Sequence, residues 1–218
     1  MAANSITLGR IFLVFGVVLL FQGSFWLCLC AVVLTVLVIW LDSLDGYVAR
    51  KLGVASDFGA LFDITGDRIV EHIYLIFYAT AGVVSFWVPI VFVTRSFLAD
   101  TVRNVAFSKE GKTPFGHKTM MKSPITRFLT ASRFSRATYG ISKAVVFVLL
   151  GLMLAFRRAL VAEIPIPLAS WHASLEAVTT VLVWLMVSFN LVRGIPVLWD
   201  GRHYLFDKSY PRELKADA

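Results

Sequence analysis

The chain alternates long apolar segments with polar breaks, and six of these segments are predicted to cross a bilayer, the first of them lengthened by an interfacial N-terminal turn. A spanning α-helix needs about 20 mostly apolar residues. The pattern therefore predicts an all-α, polytopic membrane protein with six transmembrane helices, and we expect residues 1–218 to form a single domain. The predicted spans run from Ile11 to Phe21, from Phe25 to Arg50, from Gly59 to Phe86, from Pro89 to Ala106, from Ala137 to Phe156 and from Trp171 to Val192.

The composition agrees with a membrane protein and argues against a soluble one. Hydrophobic residues make up 58% of the chain and charged residues only 16%, whereas a soluble domain has about 25% charged residues. The net charge of +7 indicates basic loops that face anionic lipid. A nucleic-acid partner is not expected, because basic and aromatic residues are not interleaved on a polar surface.

The distribution of basic residues predicts the orientation in the membrane. With six spans, most of the basic residues fall on one side, which by the positive-inside rule is the cytoplasmic side. We therefore expect both termini in the cytoplasm and the protein in the inner membrane. Arg157 and Arg158 are the exception and leave five-span and seven-span topologies open. The residues that set the orientation are Arg10, Arg50, Lys51, the polar stretch Ser108 to Arg136, Arg202, Lys208, Arg212 and Lys215.

The informative polar residues lie in the stretch LDSLDGYVARKLGVASDFGALFDITGDR. Asp42 and Asp45 are three residues apart, and Asp63 and Asp67 are four apart, so each pair lies on one face of its helix. The two helices are consecutive and antiparallel, and they are joined by a turn around residues 53–56. Four carboxylates are therefore predicted to meet near the cytoplasmic end of these helices.

Four carboxylates close to a membrane require compensating positive charge, because like charges and apolar surroundings both disfavour ionisation. Oxygen ligands favour hard cations, so the cluster predicts a site for Mg²⁺ or Mn²⁺. Two such ions would suit a displacement at phosphorus. Gly46, Ala49 and Gly59 leave the nearby backbone open to a bulky ligand, and Arg50 has the geometry to bind a phosphate.

The spacing D-x2-D-G-x2-A-R-x8-G-x3-D-x3-D resembles the signature of the CDP-alcohol phosphotransferase family, also called the CDP-alcohol phosphatidyltransferase family. Every position of the pattern is filled, by Asp42, Asp45, Gly46, Ala49, Arg50, Gly59, Asp63 and Asp67. The resemblance implies a membrane enzyme that transfers a phosphatidyl group from CDP-diacylglycerol to a small alcohol and releases CMP. It also implies an active site that faces the cytoplasm, and a homodimer.

The resemblance further implies a role for each residue of the pattern. Asp42, Asp45 and Asp63 would be the main metal ligands. Asp67 would contribute to the second metal and would be the general base for the acceptor hydroxyl. The residues that would contact the nucleotide are Gly46, Ala49, Gly59 and, at its diphosphate, Arg50.

The acceptor alcohol is less strongly indicated. The segment from Asn4 through Thr7 to Arg10 is similar to the N-x-x-T-x-x-R stretch of phosphatidylglycerophosphate synthases, which favours glycerol 3-phosphate. The segment from Asp63 to Arg68 is nearer to members of the family that use inositol phosphate, which leaves that acceptor and other alcohols open. The candidates for binding an acceptor phosphate are Arg95, Arg103, Arg133, Arg136 and Lys143.

The same residues permit other interpretations. A cation transporter could use intramembrane acids, and an inactive assembly protein could share the fold. The aspartates could form a structural ion network. Arg50, Arg95, Arg103 and Lys143 could be basic residues that extend to the membrane surface.

Overall fold

A computed structural model of the chain describes residues 2–51, 57–110, 120–164 and 169–206, and all regular elements in these ranges are helices. The predicted all-α class is confirmed for this part of the chain. The helices are α1 (Ala2–Leu20), α2 (Phe25–Lys51), α3 (Asp57–Thr80), α4 (Trp87–Glu110), α5 (Pro124–Ala131), α6 (Arg133–Val161), α7 (Ala169–Asp200) and α8 (Arg202–Phe206).

Three helical segments in the described ranges are long and apolar enough to cross a membrane, namely Phe25–Asp42, Pro124–Val161 and His172–Asp200. A shorter apolar helix covers Asn4–Leu20. These long apolar helices agree with a membrane protein, whereas the six-span topology stays a prediction.

The third predicted span ends earlier than its hydropathy indicates. The sequence predicts a helix up to Phe86, but α3 ends at Thr80. Gly82 adopts the left-handed conformation with φ of 68°, and the N–H of Val83 donates to the carbonyl of Tyr78 at 2.9 Å. This hydrogen-bonded glycine turn terminates a helix even when the residues after it are apolar.

The helix that contains the fifth predicted span extends beyond the predicted carboxyl end. The sequence predicts an end at Phe156, but α6 continues to Val161. The same kind of turn closes it, with Glu163 at φ of 52° and the N–H of Ile164 donating to the carbonyl of Ala159 at 3.1 Å. A non-glycine residue here reduces the sequence signal for the helix end, since glycine is the usual residue at this position.

The two arginines that depart from the orientation pattern lie inside this extension of α6. Arg157 donates through Nη1 to the carbonyl of Gly82 at 3.0 Å. Its Nη2 forms an ion pair with Glu176 of α7 at 3.2 Å. Arg157 therefore has a local structural role that joins α6 to α7 and to the turn after α3.

The polar stretch Ser108 to Arg136 contains a short helix, α5, whose start is specified by its own residues. Ser123 is the N-cap, and its hydroxyl accepts from the N–H of Ile125 at 3.2 Å. The Thr126 hydroxyl accepts from the N–H of Ser123 at 3.2 Å. This reciprocal capping satisfies backbone donors at the start of the helix.

Helices α4 and α7 also extend beyond their predicted ends. α4 continues past Ala106, and α7 continues past Val192 to Asp200 with Pro196 inside it. α4 continues through polar residues that hydropathy does not mark, whereas in α7 the residues Arg193, Gly194 and Pro196 interrupt the apolar run without ending the helix.

The chain divides into two compact units, and the first comprises the described residues within Met1–Val93 and Tyr139–Ser188. α1 packs against both α2 and α3 in this unit. Buried hydroxyl groups are satisfied within it, since Tyr74 donates to Thr35 at 3.1 Å and Tyr78 donates to the carbonyl of Phe147 at 3.0 Å. Its fully buried side chains include Val14, Val17, Phe21, Leu75, Leu150 and Met153.

The second unit comprises the described residues within Thr94–Thr138 and Phe189–Ala218. Asp200 accepts hydrogen bonds from the N–H of Lys122 at 3.0 Å and from the Thr126 hydroxyl at 2.7 Å, which fastens α5 to the end of α7. The single-domain assignment of the sequence stays a prediction. The core of this unit is formed by Ala99, Val102, Ala106, Met120, Met121, Val197 and Tyr204.

Candidate active site

Three of the four motif aspartates converge in the first unit. Asp42 lies on α2, and Asp63 and Asp67 lie one turn apart on α3. One carboxylate oxygen from each lies within 4.8 Å of the others. This set consists of carboxylate oxygens only, which suits a hard divalent cation, so the residues present fit the metal that the sequence predicts.

The remaining motif residues are partly outside the described side chains. Asp45, Gly46, Ala49 and Arg50 lie on the last turns of α2, where the structure describes the helical backbone only. Gly59 lies on α3, one turn before Asp63, in the position that the sequence predicts. The roles of these five residues stay predictions.

Arg10 joins the aspartates to the first helix. Its side chain is only 1% exposed, and its two terminal nitrogens donate to different carboxylates, Nη1 to Oδ1 of Asp42 and Nη2 to Oδ1 of Asp67 at 2.7 Å. A buried guanidinium is stable only when acceptors of opposite charge surround it, and these two carboxylates supply that charge. Sequence reasoning used Arg10 for orientation and subfamily resemblance and missed this contact.

Gly66 permits the close approach of α1 that brings Arg10 to the aspartates. A Cβ atom at position 66 would collide with the Thr7 Cγ2 methyl and would lie 3.5 Å from Nη2 of Arg10. Thr7 is itself buried. Thr7 and Arg10 are three residues apart and share one face of α1, so the contact at Gly66 and the contact with the carboxylates form together.

Gly66→Ala is therefore expected to destabilise the protein, although alanine is the better helix former. We expect a loss of about 1–3 kcal/mol in the free energy of unfolding, which is typical of an overpacked core position. Denaturant unfolding of the purified protein in detergent measures this change.

Two further variants identify the cause of that loss. Thr7→Ser removes the obstructing methyl, so the double variant with Gly66→Ala should recover most of the lost stability. Gly16→Ala is the matched control, because a Cβ atom there meets nothing within 4 Å. An equal loss at both glycines would contradict the proposed helix contact.

Glu71 extends the acidic face of α3 by one more turn after Asp67. It is 1% exposed and accepts from Arg68 at 3.0 Å and from the Tyr139 hydroxyl at 3.1 Å. Lys143 of α6 is 3.5 Å from the same carboxylate. This network connects α6 to α3. It also places Lys143, a candidate for binding the phosphate of the acceptor alcohol, one turn beyond the aspartates. Sequence analysis missed Glu71, although the four-residue spacing from Asp67 was visible.

Two of the other acceptor candidates have local contacts in the second unit. Arg95 is buried and packs against Gly194, where a Cβ atom would lie 2.5 Å from its Nε. Arg103 forms an ion pair with Asp100 at 3.1 Å. Gly194 therefore provides the space that Arg95 occupies, which the sequence did not indicate.

The last two candidates lie at the start of α6. Arg136 is exposed and lines a cavity of about 660 Å³ together with Lys122 and Arg127. The side chain of Arg133 lies outside the described residues. A further arginine, Arg193, donates to the Ser135 hydroxyl at 2.7 Å, and the sequence analysis did not single it out.

Residues 1–200 match the sequence model of a family described as CDP-alcohol phosphatidyltransferase. The chain therefore belongs to the CDP-alcohol phosphatidyltransferase family, as its aspartate pattern predicts.

Among curated relatives, the chain is 39% identical over 69 residues to a CDP-diacylglycerol–glycerol-3-phosphate 3-phosphatidyltransferase of Mycoplasma genitalium. The aligned residues make up 32% of this chain and 29% of the relative. The chain is 34% identical over 73 residues to a probable phosphatidylglycerophosphate synthase of Mycobacterium tuberculosis, which is 34% of each chain. The match thus spans about a third of the length of these relatives.

Proposed function

We propose that the protein transfers a phosphatidyl group from CDP-diacylglycerol to glycerol 3-phosphate and releases CMP, as a step in phospholipid synthesis. The observation that carries this proposal is the convergence of Asp42, Asp63 and Asp67 in a chain of this family. The names of the two relatives favour glycerol 3-phosphate as the acceptor.

The residues that would hold divalent metal are Asp42, Asp63 and Asp67, with Asp45 added by its place in the motif. Mg²⁺ or Mn²⁺, in a two-metal site, is the cation that such oxygen ligands select. When bound, the metal would neutralise charge on the diphosphate and so improve CMP as a leaving group.

Asp67 is assigned as the general base of the transfer. The acceptor hydroxyl oxygen forms a bond to the lipid-linked phosphorus, the bond from that phosphorus to the CMP oxygen breaks, and the hydroxyl proton passes to the Asp67 carboxylate. Oδ1 of Asp67 already accepts from Arg10, so we assign the proton to Oδ2. A base held in one orientation by a charged hydrogen bond is ready for proton transfer when the acceptor arrives.

Binding of the donor is assigned to the turns of α2 and α3 around the aspartates. Gly46, Ala49 and Gly59 would accommodate the cytidine nucleotide, and Arg50 would bind its diphosphate. The acceptor phosphate is assigned to the basic residues that the sequence singles out, of which Lys143 lies in the same unit as the aspartates.

The proposed setting is a single catalytic domain in the inner membrane, with six spans, both termini in the cytoplasm and the aspartates facing the cytoplasm. A homodimer is part of the proposal. The three long apolar helices and the distribution of basic residues support this setting.

Measuring CMP release from CDP-diacylglycerol with a panel of alcohols tests the proposal. We expect release with glycerol 3-phosphate and much less with inositol phosphate, serine or unphosphorylated glycerol. Preference for inositol phosphate would reassign the chain to the second acceptor that its Asp63–Arg68 segment suggests.

The same protein in proteoliposomes separates the enzyme from a cation transporter. Metal-driven ion flux without CMP release for any alcohol of the panel would contradict the proposed function. CMP release without flux supports it.

A further inference from the structure

The positive charge of Arg10 lies on the protein side of the aspartate cluster. The Arg10 side chain is 1% exposed, whereas the side chains of Asp42 and Asp67 are 44% and 41% exposed. The guanidinium is therefore enclosed, whereas the carboxylates it contacts are partly accessible from outside the protein. A cation that binds from solution would contact these carboxylates on the side opposite the Arg10 guanidinium.

We infer that Arg10 is a permanent counter-cation of the aspartate site, which holds Asp42 and Asp67 together without a metal ion and lowers their affinity for one. This inference rests on the proposed function only for the presence of a divalent metal site. It assigns a positioning role to a residue of α1, outside the aspartate motif.

The holding role follows from the geometry of the guanidinium. Its two terminal nitrogens reach carboxylates on two different helices, and a planar fork of this kind cannot be replaced by a single ammonium group. Without this bridge, Asp42 and Asp67 would repel each other in a partly buried position. The contact of Thr7 with Gly66 keeps α1 where the bridge can form.

The effect on metal affinity follows from charge. A divalent cation bound by the same two carboxylates would lie close to the guanidinium, and like charges at such separations repel strongly when one of them is buried. Removing the charge of Arg10 should therefore tighten metal binding. A purely structural arginine predicts the reverse, because a loosened site would bind metal more weakly.

The test compares Mn²⁺ binding to the full-length wild-type protein and to Arg10→Met in detergent, by the electron paramagnetic resonance signal of free Mn²⁺. We expect Arg10→Met to lower the Kd for Mn²⁺ by about fivefold or more. Its unfolding temperature in EDTA should fall by several degrees, and saturating Mn²⁺ should restore most of this loss. An unchanged or higher Kd overturns the inference.

Three variants complete the test. Arg10→Lys keeps the charge but not the bridge, so its Kd should stay near the wild-type value while its unfolding temperature in EDTA falls. Arg158→Met removes an exposed arginine from α6 and should change neither quantity. Arg10→Gln is a second neutral variant, and if both neutral variants stay unfolded in saturating Mn²⁺ the inference is wrong.

The outcomes separate this inference from the proposed function. A wild-type protein that binds no Mn²⁺ overturns both. A wild-type protein that binds Mn²⁺ and releases CMP, with no tighter binding in Arg10→Met, overturns the role of Arg10 alone. Tighter binding in Arg10→Met without any CMP release supports the role of Arg10 and contradicts the proposed reaction.

Discussion

Asp67→Asn is expected to reduce CMP release by about a thousandfold, within the range lost when a general base is removed. The amide cannot take the proton of the acceptor hydroxyl at neutral pH. Its carbonyl oxygen can still accept the hydrogen bond from Arg10 that Oδ1 of Asp67 accepts in the native chain. The fold around α1 and α3 should therefore persist, and binding of CDP-diacylglycerol should be retained.

The measurements for Asp67→Asn are CMP release under saturating substrates and equilibrium binding of radiolabelled CDP-diacylglycerol. Glu163→Gln is the matched control, because it removes one carboxylate from the exposed turn after α6. This control should retain wild-type turnover. If Asp67→Asn retains more than about a tenth of the wild-type rate, Asp67 is not the base.

Removal of divalent cations with EDTA is expected to abolish CMP release completely, and added Mg²⁺ or Mn²⁺ should restore it. The carboxylates of Asp42, Asp63 and Asp67 approach within 4.8 Å, and without a metal they would repel the diphosphate of the donor lipid. Chelation therefore removes both the attraction that binds the substrate and the charge neutralisation that assists CMP departure.

Chelation should have much less effect on the fold than on turnover, because Arg10 continues to neutralise part of the cluster. Unfolding temperatures measured with and without EDTA separate these effects. Full CMP release in EDTA would exclude the metal-dependent reaction and would favour a structural ion network at these aspartates.

The sequence was sufficient to predict that Asp42, Asp63 and Asp67 converge, because the information is local, while the place of Asp45 in the cluster stays a prediction. A spacing of four residues puts Asp63 and Asp67 on one face of α3, and Asp42 lies on α2, the helix that comes immediately before α3 in the chain. The contact of Arg10 is different, since it lies 32 residues from Asp42 and 57 from Asp67. Nothing in the composition of α1 indicates which of its faces meets α3.

Helix ends were predicted less well than helix positions, also for a physical reason. Hydropathy reports whether a side chain prefers an apolar or an aqueous environment, whereas the end of α3 is set by the backbone conformation of Gly82. The buried Glu71 illustrates a related limit. Its spacing from Asp67 was visible, but the donors that stabilise it, Tyr139 and Lys143, come from a helix distant in sequence.

The narrow separation of α1 and α3 at Thr7 and Gly66 gives these two positions a shared evolutionary constraint. A side chain can arise at position 66 only where position 7 has become smaller, and a larger residue at position 7 requires glycine at 66. Natural variants of this chain should therefore change the two positions in concert.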